Sequence, residues 1–166
     1  MSNVTWRSGD EPVSRQFIEE IANKLGVVFP EDYIVCAMEN NGARVSPEIF
    51  NVGEKERVFG MLLTFDQEDS ESLYNIYKGY QGTLPDFIIP FAIDPAGNLI
   101  CFDYKNHEKN PIVVFWEHED AWEKEMLMRE EGLIEEEAEE AARENIFYVA
   151  DTFTEFLQKL YEDEED

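Results

Sequence analysis

Between Phe87 and Trp116 the chain passes through three apolar segments, Phe87 to Ile93, Leu99 to Tyr104 and Ile112 to Trp116, each rich in β-branched and aromatic residues. Such segments suit strands, and connections this short join antiparallel neighbours, because a parallel pair needs a crossover of a dozen residues or more. The chain must therefore build an antiparallel sheet and cover it. The first connection, Asp94-Pro95-Ala96-Gly97-Asn98, reads either as a turn or as a site. Pro95 presets φ for the first corner of a type I turn, Gly97 supplies a left-handed residue, and the Asp94 carboxylate can bond the turn backbone. A calcium loop needs oxygen ligands at alternate positions and a later glutamate; a phosphate loop carries a lysine after its glycines. Neither pattern is present, so the pentapeptide reads as a structural hairpin.

The covers are helical. Ser14 caps a helix to Leu25, with Phe17, Ile18, Ile21, Ala22 and Leu25 at helical spacing and Gly26 to close it. Pro30 stands where a first helical turn tolerates it, and a second helix runs toward Asn41-Gly42. Residues 57–65 are β-like, and 69–82 set Leu73, Ile76, Tyr77 and Tyr80 at helical spacing. Residues 118–145, dense in Glu, Ala, Leu and Met, predict helix with Gly132 as a candidate break, about 35 Å long if continuous. Residues 146–150 are β-like again. Thr152 and Glu155 then form a capping box for a last helix that buries Phe153, Phe156, Leu157 and Leu160, and the acidic tail 162–166 should fray. This order predicts an α+β fold in one domain over 1–166. Its mostly antiparallel sheet is flanked by N-terminal, inserted and C-terminal helices, with 120–145 as an acidic helical insertion.

A chain of 166 residues buries about 70% of its unfolded surface, enough for one core. Its 13 Lys and Arg against 38 Asp and Glu leave a net charge of −25. Nucleic acid and anionic membrane are poor partners for such a surface, which favours a basic protein or serves solubility alone. The polar opening residues lack a secretory signal and no apolar stretch approaches the ~20 residues of a membrane span, so a cytoplasmic protein is expected. Cys36 and Cys101 lie in apolar runs without a CxxC pair, which predicts free buried thiols. No metal or cofactor is expected.

His118, next to Glu119, invites an acid/base reading. The only other histidine, His107, lies in a polar loop, and His118 reads better as a structural residue fixing a turn. The run Glu135, Glu136 and Glu137 reads as a solvated face. Two groups pair acids with aromatic residues of the kind that anchor interfaces. One joins Asp66, Glu68, Asp69 and Glu71 to Tyr74, with Tyr77 and Tyr80 on adjoining helix faces; the other is Trp122, Glu123 and Met126. Core packing competes with recognition for these aromatics.

Four ordered stretches carry a resemblance. Phe29-Pro30-Glu31-Asp32-Tyr33 stands at an LPxxY motif, with Phe29 for its leucine, ahead of a helix ending at Asn-Gly. Pro90, Phe91, Ala92, Asp94, Gly97, Asn98, Cys101 and Asp103 match PFAxDxxGNxxCxD. Val113, Trp116, His118 and Glu119 match VxxWxHE, and Thr152 to Leu157 match SFxEFL with Thr for Ser. In these the chain resembles the SUKH superfamily of fungal cell-wall (glucan synthesis) regulators and bacterial toxin-immunity proteins. The resemblance implies a non-enzymatic immunity protein that binds and neutralises a cognate toxin; a basic nuclease would suit the −25 charge. The alternative it implies is a regulatory scaffold of cell-wall synthesis. It also makes Pro30, Tyr33, Asp94, Gly97, Asn98, Trp116 and His118 scaffold residues. The region Asp120 to Glu144 departs from the family by its length and acidity.

Overall fold

The chain enters through a short strand, β1 (Thr5–Arg7), and two helices, α1 (Arg15–Leu25) and α2 (Glu31–Glu39), in a computed structural model that describes residues 4–107, 109–119 and 121–162. The Ser14 hydroxyl accepts from the Phe17 N–H at 3.1 Å to start α1, and Gly26, at φ 75°, ends it. β2 (Arg44–Ser46) pairs with β1, and β3 (Ile49–Val52) and β4 (Lys55–Val58) form a separate hairpin. Then come β5 (Met61–Leu62), α3 (Leu73–Tyr80), β6 (Ile88–Ile93), β7 (Leu99–Asp103), β8 (Ile112–Trp116), α4 (Lys124–Glu131), α5 (Glu135–Arg143), β9 (Ile146–Ala150) and α6 (Phe153–Gln158). Strands β5 to β9 make one antiparallel sheet in chain order, and the fold is α+β.

The three central strands are buried on both faces, which is why they read as unbroken apolar runs and not as the alternation of a half-exposed sheet. On one face Ile89, Phe91, Ile100, Phe102, Val113 and Phe115 pack into the core shared with α1, α2 and α6. On the other, Ile88, Leu99, Cys101, Val114 and Trp116 pack with Leu84 and the Tyr77 and Tyr80 side of α3. A bulge between Pro90 and Ala92 gives β6 its extra residue, Phe91, whose ring stacks on Phe102 at 4.3 Å.

Tyr33, with no exposed surface, is the hub of the first face. Its ring meets Phe29, Phe102, Phe153 and Phe91 at 5.2, 5.1, 5.5 and 5.7 Å between centroids. Pairs of this kind contribute about 0.5–1.5 kcal/mol each beyond area burial. Its hydroxyl has no hydrogen-bond partner among the described residues, and burial raises its pKa well above the usual value.

Several expected boundaries shift. The β-like stretch 57–65 divides into β4 and β5 at Gly60, where a Cβ would collide with the Ile93 carbonyl. Residues 69–72 stay outside α3 because the Asp69 carboxylate accepts from the Glu71 N–H at 2.8 Å, turning the chain. The expected helix 118–145 becomes two, broken at Gly132 in the left-handed conformation, φ 69°, and starting only at Lys124. Its first residues are drawn away by bonds from His118 to the β6–β7 turn. Of the insertion, Asp120 lies outside the described residues, as do positions 163–166 of the tail expected to fray.

Both cysteines are free thiols, Cys101 buried and Cys36 half-buried. Burial pushes the Cys36 thiol up to about 11 and Cys101 well above its ordinary value. At pH 8 roughly one Cys36 in a thousand is then the reactive thiolate. Native protein should therefore react with a thiol reagent far more slowly than unfolded protein, read as thiolate release over time.

Tyr33→Phe should unfold at a urea midpoint equal to or above the wild type's, since it deletes a buried hydroxyl that bonds nothing. Tyr33→Ala should lose about 3–5 kcal/mol. Equal losses in both variants would show that the hydroxyl has a partner.

Candidate functional site

The Asp94 turn is wired from three directions. Asp94 is buried; its Oδ1 accepts from the N–H groups of Ala96 at 2.9 Å and Asn98 at 2.8 Å, and its Oδ2 accepts from Asn98 Nδ2 at 3.1 Å. Asn98 passes the link on, its Oδ1 accepting from the His118 N–H at 3.0 Å. His118 closes the circuit, with Nε2 2.9 Å from the Ala96 carbonyl, so that this nitrogen carries the proton and donates. Gly97 sits at φ 92°, and a Cβ there would touch the His118 ring at 3.4 Å. These residues tie the β6–β7 turn to the end of β8. Trp116, fully buried, meets Tyr80 edge-on at 5.1 Å, and Pro30 immediately precedes α2 with φ −64° and ψ 147°. Among the described residues no acid/base pair forms at His118: its Nε2 is engaged, Glu117 pairs with Arg57 at 2.5 Å, and Glu119 is exposed.

Asp66, Glu68, Asp69 and Glu71 are all exposed in the loop entering α3. The loop is held in shape by its own bonds. Asp66 Oδ1 accepts from the Glu68 N–H at 3.0 Å, and Asn75 Nδ2 donates to the Asp69 carbonyl at 3.0 Å. Tyr74 is half-buried, with the Lys24 ammonium 5.4 Å from its ring centroid. Trp122 is 55% exposed, Glu123 is exposed just ahead of α4, and Met126 is half-buried. The two groups do not meet. The acidic loop leads into the N-terminus of α3, whereas α4 begins beside its C-terminal end, where the Lys124 N–H donates to the Gly82 carbonyl at 3.0 Å. Tyr77 and Tyr80 turn inward toward the Trp116 cluster, so the three tyrosines do not form one face.

The acidic segment that holds α4 and α5 is anchored to the sheet. Arg143 of α5 pairs with the buried Asp103 at 2.6 Å, Lys124 bridges Asp86 and Glu139 at 3.2 and 3.1 Å, and Ala138 and Ala142 are buried. Glu137 accepts from the Ile134 N–H at 3.0 Å to cap α5. α4 itself buries no residue, and Trp122 ahead of it and Met128 within it are exposed. Glu135 and Glu136, like Glu137, are exposed.

A surface that sequence reasoning missed lies beside β9. There a groove of about 790 Å³ runs between Ile146 to Tyr148 and the β3–β4 hairpin, with Phe147 43% and Tyr148 52% exposed. The Tyr148 hydroxyl donates to Asp151 at 2.5 Å, which pushes its phenol up to about 12. The available signal was the absence of any charge in Ile146 to Ala150.

A sequence model of the SMI1 / KNR4 family (SUKH-1) matches residues 12–159, from just before α1 to the end of α6. The chain belongs to that family. No curated protein matches it. In this SMI1/KNR4 member the motif positions Tyr33, Asp94, Gly97, Asn98, Trp116 and His118 lie in the core or in the turn network. Asp66, Glu68, Asp69, Glu71, Trp122, Phe147 and Tyr148, all exposed, lie outside the motifs, and Glu119 is a motif position that is exposed. No described helix is long and apolar enough to cross a membrane. Asp94→Ala should cost about 2–3 kcal/mol by urea unfolding, since it leaves buried N–H groups unpaired, while Asp66→Ala should stay within about 1 kcal/mol. Similar costs would refute the unequal roles.

Proposed function

We propose that this SMI1/KNR4-family protein is a non-enzymatic binding protein whose partner is a basic toxin, neutralised when the acidic surface covers its active site. The observation that carries the reading is the division of labour among residues. Most motif residues, the exposed Glu119 excepted, are spent on packing, capping and the turn, and what remains exposed is a strongly negative surface set with Trp122, Phe147 and Tyr148. A net charge of −25 raises the encounter rate with a cationic partner, toward ~10⁸–10⁹ M⁻¹s⁻¹ at low salt, while buried aromatics slow its release. A toxin that cleaves nucleic acid fits best, because its substrate groove must itself be basic.

The test is capture from the native cell on the tagged protein, washed at low and at high salt. One basic polypeptide should be retained at low salt and loosened at high, and expression of the protein should protect cells from that polypeptide. Retention of cell-wall synthesis enzymes instead would favour the regulatory scaffold, and retention of nothing at either salt would refute the binding reading.

A further inference from the structure

The five-stranded sheet has two edges, and only one is closed. β5 is two residues long, and its Leu62 N–H donates to the Ala43 carbonyl at 2.9 Å. β9 is five residues long, pairs with β8 alone, and contains neither charge nor proline in a chain that is 31% charged. Natural sheets blunt such an edge with lysine, proline or a covering element, because its unpaired backbone groups are a template for another strand. Here the cover is partial. Lys159 Nζ donates to the Val149 carbonyl at 2.7 Å and occupies the C-terminal half, leaving Ile146 to Tyr148 beside the open groove.

The groove selects an occupant by chemistry. Val52, Ile146, Phe147 and Tyr148 give it an apolar share, and consecutive Phe147 and Tyr148 are both exposed where strand alternation would bury one. Of its charged lining, Glu54, Glu119 and Lys55 have no partner of opposite sign among the described residues, and Arg57 is already neutralised by Glu117, which leaves the groove acidic on balance. The lining charges sum to 2 − 3 = −1, counting Lys55 and Arg57 against Glu54, Glu117 and Glu119, inside the field of a chain at −25. A second copy of the chain would bring another −25 to the same edge.

We propose that the groove between β9 and the β3–β4 hairpin receives an extended segment of a basic partner, which adds a strand to the free edge of β9 and directs lysine or arginine side chains toward Glu54 and Glu119. The backbone pairing supplies affinity and the rim selects the charge. This rests on the reading of the protein as a binder of a basic partner and says where that partner lands.

The experiment titrates the full, isotope-labelled chain with a ten-residue peptide alternating valine and arginine, and with a valine–glutamate peptide of the same pattern. The arginine peptide should give saturable amide shifts at Val52 to Arg57 and Ile146 to Tyr148, the glutamate peptide none. A Phe147→Ser/Tyr148→Ser variant, altered only at exposed positions, should bind the arginine peptide at least tenfold more weakly. Shifts confined to residues 66–71 or to α4 and α5, undiminished binding by the variant, no saturable binding, or a dimer paired through β9 would each overturn the proposal. The outcome is separable from that of the parent reading. If a captured toxin is held equally by wild type and variant, the groove fails and the binding reading stands; if no toxin is captured, that reading fails and the peptide titration alone judges the groove.

Discussion

Burial of β6, β7 and β8 on both faces is the constraint from which the other elements take their places. An antiparallel sheet in water needs one cover; a sheet whose central strands are apolar throughout needs two. The first cover is gathered by Tyr33, which draws Phe29 of the α1–α2 connection, Phe153 of α6 and the sheet residues Phe91 and Phe102 around one ring. The second is less complete. The C-terminal half of α3 and Leu84 reach Trp116, but Asp103 also points to that face, at 6% exposure, and a buried carboxylate must be paired. Arg143 of α5 pairs with it, so the acidic α4–α5 segment has a structural duty before it has any surface role.

That duty explains which parts of the fold were legible in the sequence. α1 could be read because its signals are local, a serine cap and a glycine stop, and the β6–β7 hairpin because Asp94 and Gly97 act within five residues. The start of α4 could not, because the helix propensity of 118–123 loses to bonds between His118 and residues about twenty positions earlier. β1, β2 and β3 were missed for the same reason: each is three or four residues long and depends on a partner strand or on the core for its form. At the surface, exposure of Asp66, Glu68, Asp69 and Glu71 followed from their charge, whereas exposure of Trp122, which the sequence left open between core and surface, and its separation from those acids followed from topology. The β9 groove needs the β3–β4 hairpin for its second wall, and nothing near residue 147 announces a hairpin near residue 54.

The acids fall into two populations. Asp94, Asp103, Glu117 and Glu139 make bonds that hold elements together, and replacing any of them exposes an unpaired group in the interior or loosens a packed element. Glu68, Glu71, Glu135 and Glu136 face water and act chiefly through the summed field, while Asp66 and Asp69, also exposed, shape their own loop as well. At physiological salt that field fades over about 8 Å, so it governs approach and orientation more than the strength of a docked complex. The same field repels other acidic chains, which helps to keep an unguarded β9 from pairing with its own copies.

Charge alone would make such a protein bind basic surfaces indiscriminately. Discrimination has to come from shape and from groups that lose water on contact, and the structure offers those at an uncharged edge strand with two exposed aromatic rings beside a groove. The two properties divide the work along the path of association. The acidic surface sets how often a basic partner arrives, and the β9 edge sets which arrivals stay, because backbone pairing tolerates many side chains while the rim at Glu54 and Glu119 penalises acidic ones. Within the groove, Glu54, Phe147 and Tyr148 are exposed and can change without disturbing Tyr33 or the Asp94 turn, whereas Glu117 and Glu119 flank His118, so the choice of partner is separable from the scaffold on the hairpin and β9 sides of the groove and coupled to it at the end of β8.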